Sequence, residues 1–298
     1  MLEGIHKIHL IGIGGSGMRA IANILIQKGY EVSGSDVKES DVIERFRQMG
    51  ATVHIGHNAD YVQGVDAVVR STAIREDNPE IVAAKEQGIT ILHRSDIVKA
   101  VLDVTNGIAV AGAHGKTSTT SMIGQILVEG QMEPTVIIGG EVDYLKGSSC
   151  LGKGEYSVVE ADESDGSFLK LRPKTIVITN IEDDHMDHYK TMENLLNAFC
   201  QFVETLPVDG KAVVCGDNDN IRYVMSKVER QFITYGLEES NDYVAKNIHY
   251  EDSSLVYDVV RKGETLGRVS LRVPGNHNVL NSLASFIVEI GRASVGKE

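Results

Sequence analysis

The chain alternates short apolar runs with segments in which apolar residues recur every three or four positions. Over the first hundred residues this pattern predicts strands separated by single helices. The predicted strands are KIHLIGIG, EVSGSD, DAVVRST and ITILHR, and the predicted helices are SGMRAIANILIQKGY, DVIERFRQMG and PEIVAAKEQG. Strands joined by single helices form parallel sheets with right-handed crossovers. We therefore expect a Rossmann-like α/β domain over residues 1–99.

The alternation restarts after a short predicted helix, SDIVKAVL. The strand GIAVAG leads through the loop AHGKT into the helix STTSMIGQILVEG, and the helix TMENLLNAFCQFVETL follows later. The further predicted strands are YSVVEAD, KTIVITNI, KAVVCGD and RQFITYG. From about residue 243 to 274, polar-alternating runs predict an antiparallel ribbon, which the helix HNVLNSLASFIVEIG follows. We expect a P-loop-type α/β domain with this ribbon over residues 100–298.

Composition narrows the class of protein. The net charge of −13 over 298 residues argues against a general nucleic-acid surface. No apolar run approaches the roughly 20 residues needed to cross a bilayer, and the start MLEGIHKIHL shows no signal peptide. Cys150, Cys200 and Cys215 are too few and too widely spaced for a disulfide framework. These features predict a cytoplasmic protein that binds neither nucleic acid nor membranes.

The first glycine-rich loop has the full context of a dinucleotide-binding fingerprint. Gly12, Gly14 and Gly17 follow a predicted strand and precede a helix, and Asp36 ends the next strand. Such a loop brings backbone N–H groups and a helix N-terminus onto a diphosphate. A nicotinamide cofactor and a nucleotide-sugar diphosphate both fit, and a tight turn without a ligand is the plainer alternative.

The second loop, GAHGKTS, does not match GxxxxGK[ST], because Val110 stands five positions before Gly115. It still places Gly-Lys-Thr at the mouth of a helix after a buried strand. Lys116 could reach the β- and γ-phosphates, and the Thr117 hydroxyl could bind Mg²⁺. A capped helix start is the structural alternative. The predicted cradle comprises Gly112, Ala113, His114, Gly115, Lys116, Thr117 and Ser118.

Acidic side chains follow the next two predicted strands, in EADES and NIEDDHMDH. Because parallel strands bring their carboxyl ends to one edge of a sheet, these groups should face the second loop. Glu160 is the first choice as a magnesium ligand. A solvated helix start, or zinc held by His185 and His188, are the alternatives for the later cluster. In PGNHNVLNSLA, Asn276 and His277 are either caps or purine contacts.

Taken together, these segments resemble the Mur ligases. The resemblance lies in GIGGSGM, STAIREDNPEIVAAKEQGITILHRSDI, AGAHGKTSTT, EADESDGSFL with NIEDDHMDHY, and PGNHNVLNSLA. These segments run in order along essentially the whole chain, and their combination is highly specific. The family's loop is GxxGKT-like, which accounts for the spacing in the second loop.

The resemblance implies a bacterial, cytoplasmic enzyme with two anion sites. The first domain would hold a UDP-sugar through Gly14, Gly15, Ser16, Ser71, Thr72, His93 and Arg94. The second would bind ATP and Mg²⁺, with Lys116 on the γ-phosphate and Asn276 and His277 near the adenine. Thr117 and Glu160 would hold one metal ion and His185 a second. Lys116, Glu160 and His185 would therefore be the catalytic set.

The implied reaction is ATP-dependent amide formation between L-alanine and the lactyl carboxylate of UDP-N-acetylmuramate, through an acyl phosphate, in peptidoglycan precursor synthesis. Members of the family have a third, C-terminal domain, so we expect this chain to be a two-domain fragment with little ligase activity alone. The alternatives are a ligase that recycles a muramyl tripeptide, an NAD-binding oxidoreductase and a nucleotide-sensing module without catalysis.

Overall fold

The computed structural model describes residues 1–145 and 147–295, with side chains as far as residue 290. The chain forms two compact units. The first contains residues 1–104 and 134–154, and the second contains residues 105–133 and the chain from residue 155 onward.

The first unit contains a five-stranded parallel sheet with the order β3-β2-β1-β4-β5. Its strands are β1 (Lys7–Ile11), β2 (Glu31–Asp36), β3 (Thr52–Ile55), β4 (Ala67–Arg70) and β5 (Thr90–His93). Its helices are α1 (Ser16–Gln27), α2 (Asp41–Gln48), α3 (Pro79–Glu86) and α4 (Arg94–Leu102), with a 3-10 turn at Ala59–Val62. The Rossmann-like parallel sheet is therefore confirmed. The pattern did not predict β3, because in TVHI only Val53 is buried and no apolar run marks the strand.

The chain enters the second unit through β6 (Asn106–Ala111) and α5 (Lys116–Glu129). It then returns to the first unit as an antiparallel hairpin of β7 (Thr135–Val142) and β8 (Gly147–Cys150), with a 3-10 turn at Asp143–Leu145.

This hairpin changes the domain division expected from the sequence, which placed all of residues 100–298 in the second domain. The hairpin packs on α1, where Asn23 Nδ2 donates to the Ser149 carbonyl at 3.0 Å. In return, Ser149 Oγ donates to the Ala20 carbonyl at 3.0 Å. Because these buried contacts join segments more than a hundred residues apart, local patterns could not place the hairpin. The division near residue 100 itself lies close to the end of the first unit at Val104.

The second unit carries the remaining strands and helices. The strands are β9 (Tyr156–Glu160), β10 (Thr175–Ile178), β11 (Lys211–Cys215), β12 (Gln231–Gly236), β13 (Tyr243–Glu251), β14 (Ser254–Arg261) and β15 (Glu264–Leu271). The helices are α6 (Met186–Tyr189), α7 (Met192–Glu204), α8 (Asp219–Lys227) and α9 (Asn276–Val295), with a 3-10 turn at Ser167–Lys170.

Within this unit the strands lie in the order β9-β6-β10-β11-β12-β13-β14-β15. Pairing is parallel from β9 to β13 and antiparallel from β13 to β15. The expected antiparallel ribbon is therefore confirmed. The sequence pattern missed α8, whose segment DNIRYVMSK buries only Ile221 and Val224. Because β6, β9 and β10 are adjacent and parallel, the residues that follow them meet at one edge of the sheet.

None of the helices in the described ranges is both long and apolar enough to cross a membrane. Cys150, Cys200 and Cys215 are free thiols. Burial raises the pKa of each thiol, to about 11 for Cys215, which leaves them protonated and unreactive at neutral pH.

Candidate functional site

The loop of residues 112–115 connects β6 to α5 through two glycines with left-handed backbone angles. The φ angle is +131° at Gly112 and +84° at Gly115. A Cβ at Gly112 would lie 2.3 Å from Thr179 Oγ1, and a Cβ at Gly115 would lie 2.6 Å from Asn281 Oδ1. Both the backbone conformation and the packing therefore require glycine. The resulting loop presents main-chain groups at the start of a helix, as an anion cradle does.

Residues that follow β10 hold this loop closed. The His114 amide donates to Asn180 Oδ1 at 2.9 Å, and Asn180 Nδ2 donates to the His114 carbonyl at 2.9 Å. Thr179 Oγ1 also donates to the His114 carbonyl, at 2.6 Å, and the Ala113 amide donates to the Asn180 carbonyl at 3.2 Å. Asn180 belongs to the NIEDDHMDH cluster that was expected to face this loop, whereas Thr179 was not among the predicted site residues. Their position directly after a buried strand was the available signal.

Lys116, the first residue of α5, turns back over the loop. Its Nζ donates to the Gly112 carbonyl at 2.5 Å and to Glu163 Oε1 at 2.7 Å, and lies 3.4 Å from the Ala113 carbonyl. The Lys116 side chain is 17% exposed, whereas that of Glu163 is 2% exposed. The ammonium group is therefore at the surface of the loop while its counter-charge lies beneath it.

Glu163 contacts Lys116, whereas the sequence led us to expect Glu160 to point at this loop. Glu160 ends β9 and pairs in register with Val110 of β6. The chain then turns, and the carboxylate three residues later comes beneath the lysine. Burial raises the pKa of Glu163, and the Lys116 charge opposes that shift. The metal role of Glu160 stays a prediction.

His185 lies beside the same carboxylate. Its Nε2 is 3.7 Å from Glu163 Oε1 and 3.6 Å from Asp184 Oδ2. Its φ angle of +57° is unusual for a residue with a side chain, and places the ring at the start of α6. Tyr189 at the end of α6 donates its hydroxyl to the Glu163 carbonyl at 2.5 Å. The segment that carries His185 is thus fixed to the segment that carries Glu163.

The geometry gives no support to zinc. Among the side chains that the structure describes, no three His, Cys, Asp or Glu residues are grouped so that they could hold a metal ion. His188, the second histidine considered for zinc, instead has its Nε2 3.2 Å from where a Cβ at Gly166 would lie. A magnesium ion at this edge would therefore need phosphate oxygens among its ligands, which is its usual arrangement in nucleotide sites.

The remaining predicted ATP contacts lie around the two helix starts. Thr117 and Ser118 are exposed in the first turn of α5, and Asn276 and His277 are exposed in the first turn of α9. The helices α5 and α9 pack together. Asn281, one turn into α9, lies against Gly115, a contact that the sequence pattern did not predict. The contacts of Thr117, Ser118, Asn276 and His277 with ATP stay predictions.

In the first unit, the glycine loop between β1 and α1 uses Asp36 for its own structure. Asp36 Oδ2 accepts a hydrogen bond from the Gly14 amide at 2.9 Å, and Oδ1 accepts one from the Val37 amide at 2.8 Å. In a dinucleotide site this carboxylate would bind the ribose hydroxyls. Because the Asp36 carboxylate already accepts backbone amides of its own loop, it is poorly placed to bind a ribose, which argues against a nicotinamide dinucleotide as the ligand.

Part of the predicted UDP-sugar set comes together at this loop. A Cβ at Gly17 would lie 2.8 Å from Arg94 NH1, so the guanidinium lies over the first turn of α1. His93 forms a capping box with Asp96 at the start of α4, which fixes the chain next to Arg94. Gly15 and Ser16 are exposed at the start of α1. An exposed helix start beside a guanidinium is suited to a diphosphate.

Ser71 and Thr72 directly follow β4, at the same carboxyl edge of the parallel sheet as the glycine loop. The Ile74 amide donates to the Ser71 carbonyl at 3.1 Å, which closes a turn there. The contacts of Ser71 and Thr72 with a UDP-sugar stay predictions.

A buried carboxylate that the sequence analysis missed supports the glycine loop. Glu80 of α3 is fully buried and accepts hydrogen bonds from Ser35 Oγ at 2.7 Å and from His9 Nε2 and His57 Nδ1 at 3.0 Å each. Burial would raise its pKa, but these hydrogen bonds outweigh burial and lower it. The Ser35 carbonyl in turn accepts the Gly12 amide at 2.8 Å. In the sequence, nothing distinguishes Glu80 from an ordinary acidic residue in the first turn of a helix.

Two family models match the chain and together cover both units. The Mur ligase family catalytic domain matches residues 7–104, and the Mur ligase middle domain matches residues 110–289. The chain therefore belongs to the Mur ligase family.

Among its relatives are proteins named UDP-N-acetylmuramate–L-alanine ligase. That of Desulfatibacillum aliphaticivorans is 44% identical over 283 residues, which are 95% of this chain and 62% of the relative. That of Geobacter sulfurreducens is 44% identical over 289 residues, 97% of this chain and 63% of the relative. The chain thus spans less than two thirds of the length of these relatives.

Solved structures agree on the fold. The UDP-N-acetylmuramate–alanine ligase MurC from Thermotoga maritima superposes with a TM-score of 0.86 at 30% identity, covering 96% of this chain and 65% of that one. The UDP-N-acetylmuramate:L-alanyl-γ-D-glutamyl-meso-diaminopimelate ligase from Neisseria meningitidis gives a TM-score of 0.89 at 27% identity, covering 96% and 94%. These neighbours, which each cover 96% of the chain, confirm the expected fold class.

Proposed function

We propose that this chain provides the UDP-sugar-binding and ATP-binding units of a ligase that joins L-alanine to the lactyl carboxylate of UDP-N-acetylmuramate. The observation that carries the ATP part is Lys116, which is held over a closed glycine loop at the start of α5. The relatives named for the alanine-adding reaction, at 43–44% identity, support the choice of substrate.

The chemistry needs an activated carboxylate. A carboxylate and an amine do not form an amide directly in water, because the leaving group would be oxide. Transfer of the γ-phosphoryl group of ATP to a carboxylate oxygen gives an acyl phosphate and ADP. The deprotonated amine of alanine then adds to the carbonyl carbon, and the tetrahedral intermediate expels phosphate to leave the amide.

The residues of the second unit suit the first of these steps. Lys116 would stabilise the charge on the transferring phosphoryl oxygens, and the amides of the loop would bind the adjacent phosphates. Thr117 and Glu160 would hold one magnesium ion and His185 a second, and these ions would neutralise charge on the β- and γ-phosphates. The tight space at Gly112, where a Cβ would meet Thr179 and Asn180, fits a loop that approaches phosphates through its backbone.

In the first unit, the exposed start of α1 and Arg94 would bind the diphosphate of UDP-N-acetylmuramate, which would orient its lactyl carboxylate. We infer that the protein acts in the bacterial cytoplasm, where such nucleotide precursors are made.

Isothermal titration of the chain with UDP-N-acetylmuramate, ATP with Mg²⁺, and NAD tests the proposal. Binding of the first two and not of NAD is expected. Tight NAD binding without UDP-N-acetylmuramate binding would overturn it.

A tripeptide-adding ligase is the second candidate, because the Neisseria structure matches this chain over 94% of its own length. The two functions differ in the amine that reacts. Release of phosphate from ATP in the presence of UDP-N-acetylmuramate should be stimulated by L-alanine under the main proposal, and by the tripeptide L-alanyl-γ-D-glutamyl-meso-diaminopimelate under the second.

A further inference from the structure

We propose that Glu163 is a positioning residue for Lys116: it remains bonded to the ammonium group while ATP binds and thereby fixes where that charge meets the phosphates. This inference rests on the proposed role of Lys116 in binding ATP. The finding behind it is the 2.7 Å contact between Lys116 Nζ and Glu163 Oε1, combined with the different exposure of the two side chains.

An ammonium group has three hydrogens, and the structure shows how they are used. Two short bonds go to the Gly112 carbonyl and to Glu163 Oε1, whereas the contact with the Ala113 carbonyl is 3.4 Å long. A phosphate oxygen can replace that long contact without breaking either short bond. Lys116 could thus bind a phosphate while it stays bonded to Glu163.

The alternative is that Lys116 leaves Glu163 when it binds a phosphate. The burial of Glu163 argues against this alternative. Glu163 is 2% exposed, so water could not solvate the carboxylate if Lys116 moved away. Removing the cationic partner from a buried carboxylate is strongly unfavourable. The pair should therefore persist, unlike an exposed ion pair that water can replace.

The main chain at Glu163 is also fixed, so the carboxylate cannot follow a moving lysine. Its carbonyl accepts the Tyr189 hydroxyl at 2.5 Å and the Gly166 amide at 3.1 Å. Tyr189 is itself 7% exposed. The main chain of Glu163 is therefore held in place, and its carboxylate orients the Lys116 side chain.

Glu163 is not arranged for stability alone. Its Oε2 is buried and has no hydrogen-bond partner among the residues that the structure describes. Oε1 takes the bond to Lys116 and also faces His185 Nε2 at 3.7 Å. Buried polar atoms without partners are rare and are concentrated at functional sites. A buried carboxylate that keeps one oxygen bonded to Lys116 next to the loop fits a positioning role.

A double-mutant cycle on ATP affinity tests the proposal, by titration of ATP with Mg²⁺ into the whole chain. Lys116→Ala should weaken binding about 100-fold, and Glu163→Gln about tenfold, because each loses a charge-assisted hydrogen bond. If Glu163 acts through Lys116, Glu163→Gln should have no further effect in the Lys116→Ala background. Asp258→Asn removes a different carboxylate, one that pairs with Arg268 at 3.0 Å in the ribbon, and should leave ATP affinity unchanged.

The outcomes separate the inference from the function on which it rests. If Glu163→Gln binds ATP like the wild type, or weakens binding equally in both backgrounds, the positioning role is wrong although Lys116 still binds ATP. If Lys116→Ala itself binds ATP normally, the proposed function fails. Circular dichroism and thermal unfolding of each variant establish that the loss does not come from misfolding.

Discussion

Asn180 and His114 exchange two hydrogen bonds of 2.9 Å across the edge of the sheet in the second unit. The amide side chain at the end of β10 thereby takes both the N–H and the carbonyl of a residue in the middle of the loop. The Asn180 side chain thus makes the two hydrogen bonds that a neighbouring strand would otherwise make, and these bonds fix the irregular loop at His114.

Asn180→Ala should therefore loosen the loop with little effect on the fold. Loss of two partly exposed hydrogen bonds should raise the Kd for ATP about 5- to 150-fold, since each such bond contributes about 0.5–1.5 kcal/mol. Titration with ATP and Mg²⁺ checks this expectation. The neighbouring Asn220→Ala is a control, because Asn220 Nδ2 donates to the Ile181 carbonyl at 2.8 Å and not to the loop. Equal losses in the two variants would contradict the account.

Gly112→Ala should be more damaging. The added Cβ would lie 2.3 Å from Thr179 Oγ1 and 2.8 Å from the Asn180 carbonyl oxygen, at a φ angle of +131°. Since neither the strand end nor the backbone can move away cheaply, we expect ATP binding to be lost and the second unit to be destabilised by about 2 kcal/mol or more. Gly267→Ala is the matched control, because its Cβ would meet no atom within 4 Å. Retained ATP affinity in Gly112→Ala would show that the loop does not bind phosphates.

Glu163→Gln should weaken ATP binding but should maintain or increase the stability of the folded protein. Burial raises the pKa of Glu163 despite the Lys116 charge, so ionising this carboxyl costs more free energy in the folded state than in the unfolded state. A neutral amide of the same shape removes that penalty. We expect an unfolding temperature equal to that of the wild type or a few degrees higher, as measured by calorimetry at pH 7. A clear decrease would mean that the ion pair is a net stabiliser.

The ionisation of Glu80 should make the stability of the first unit depend on pH. Its folded pKa lies below the ordinary value, so its contribution to stability is present above the unfolded pKa of about 4.5 and is lost as the pH falls through the folded value. Glu80→Gln leaves His9 and His57 without their carboxylate and should lower stability by about 3 kcal/mol at pH 7. Urea unfolding at several pH values checks this. The difference between wild type and variant should shrink as the solution is acidified from pH 5 to pH 3, and a constant difference would contradict the assignment.

Sequence patterns could predict the parallel sheets, the ribbon and both glycine loops because these features depend on residues close together in the chain. Apolar runs mark β6 and β10, and glycines at fixed spacing mark the turns after β1 and β6. The resemblance to a family then supplied roles for residues such as Lys116 and Arg94.

Contacts between distant segments could not be predicted in the same way. Glu163 and Glu160 lie in one acidic run, and the turn after β9 brings Glu163 to Lys116. Likewise, the hairpin of β7 and β8 carries no strong apolar period that identifies α1 as its partner. Its place depends on hydrogen bonds between Asn23 and Ser149.

The central claim is that the two glycine loops bind different ligands. The most direct measurement is calorimetric titration of Lys116→Ala with ATP and Mg²⁺ and, separately, with UDP-N-acetylmuramate, with Arg94→Ala as the reciprocal variant. We expect Lys116→Ala to weaken ATP binding about 100-fold and to keep wild-type affinity for UDP-N-acetylmuramate, and Arg94→Ala to weaken the UDP-sugar about tenfold without changing ATP affinity. Loss of both ligands to the same extent in Lys116→Ala, while the variant remains folded, would contradict the account.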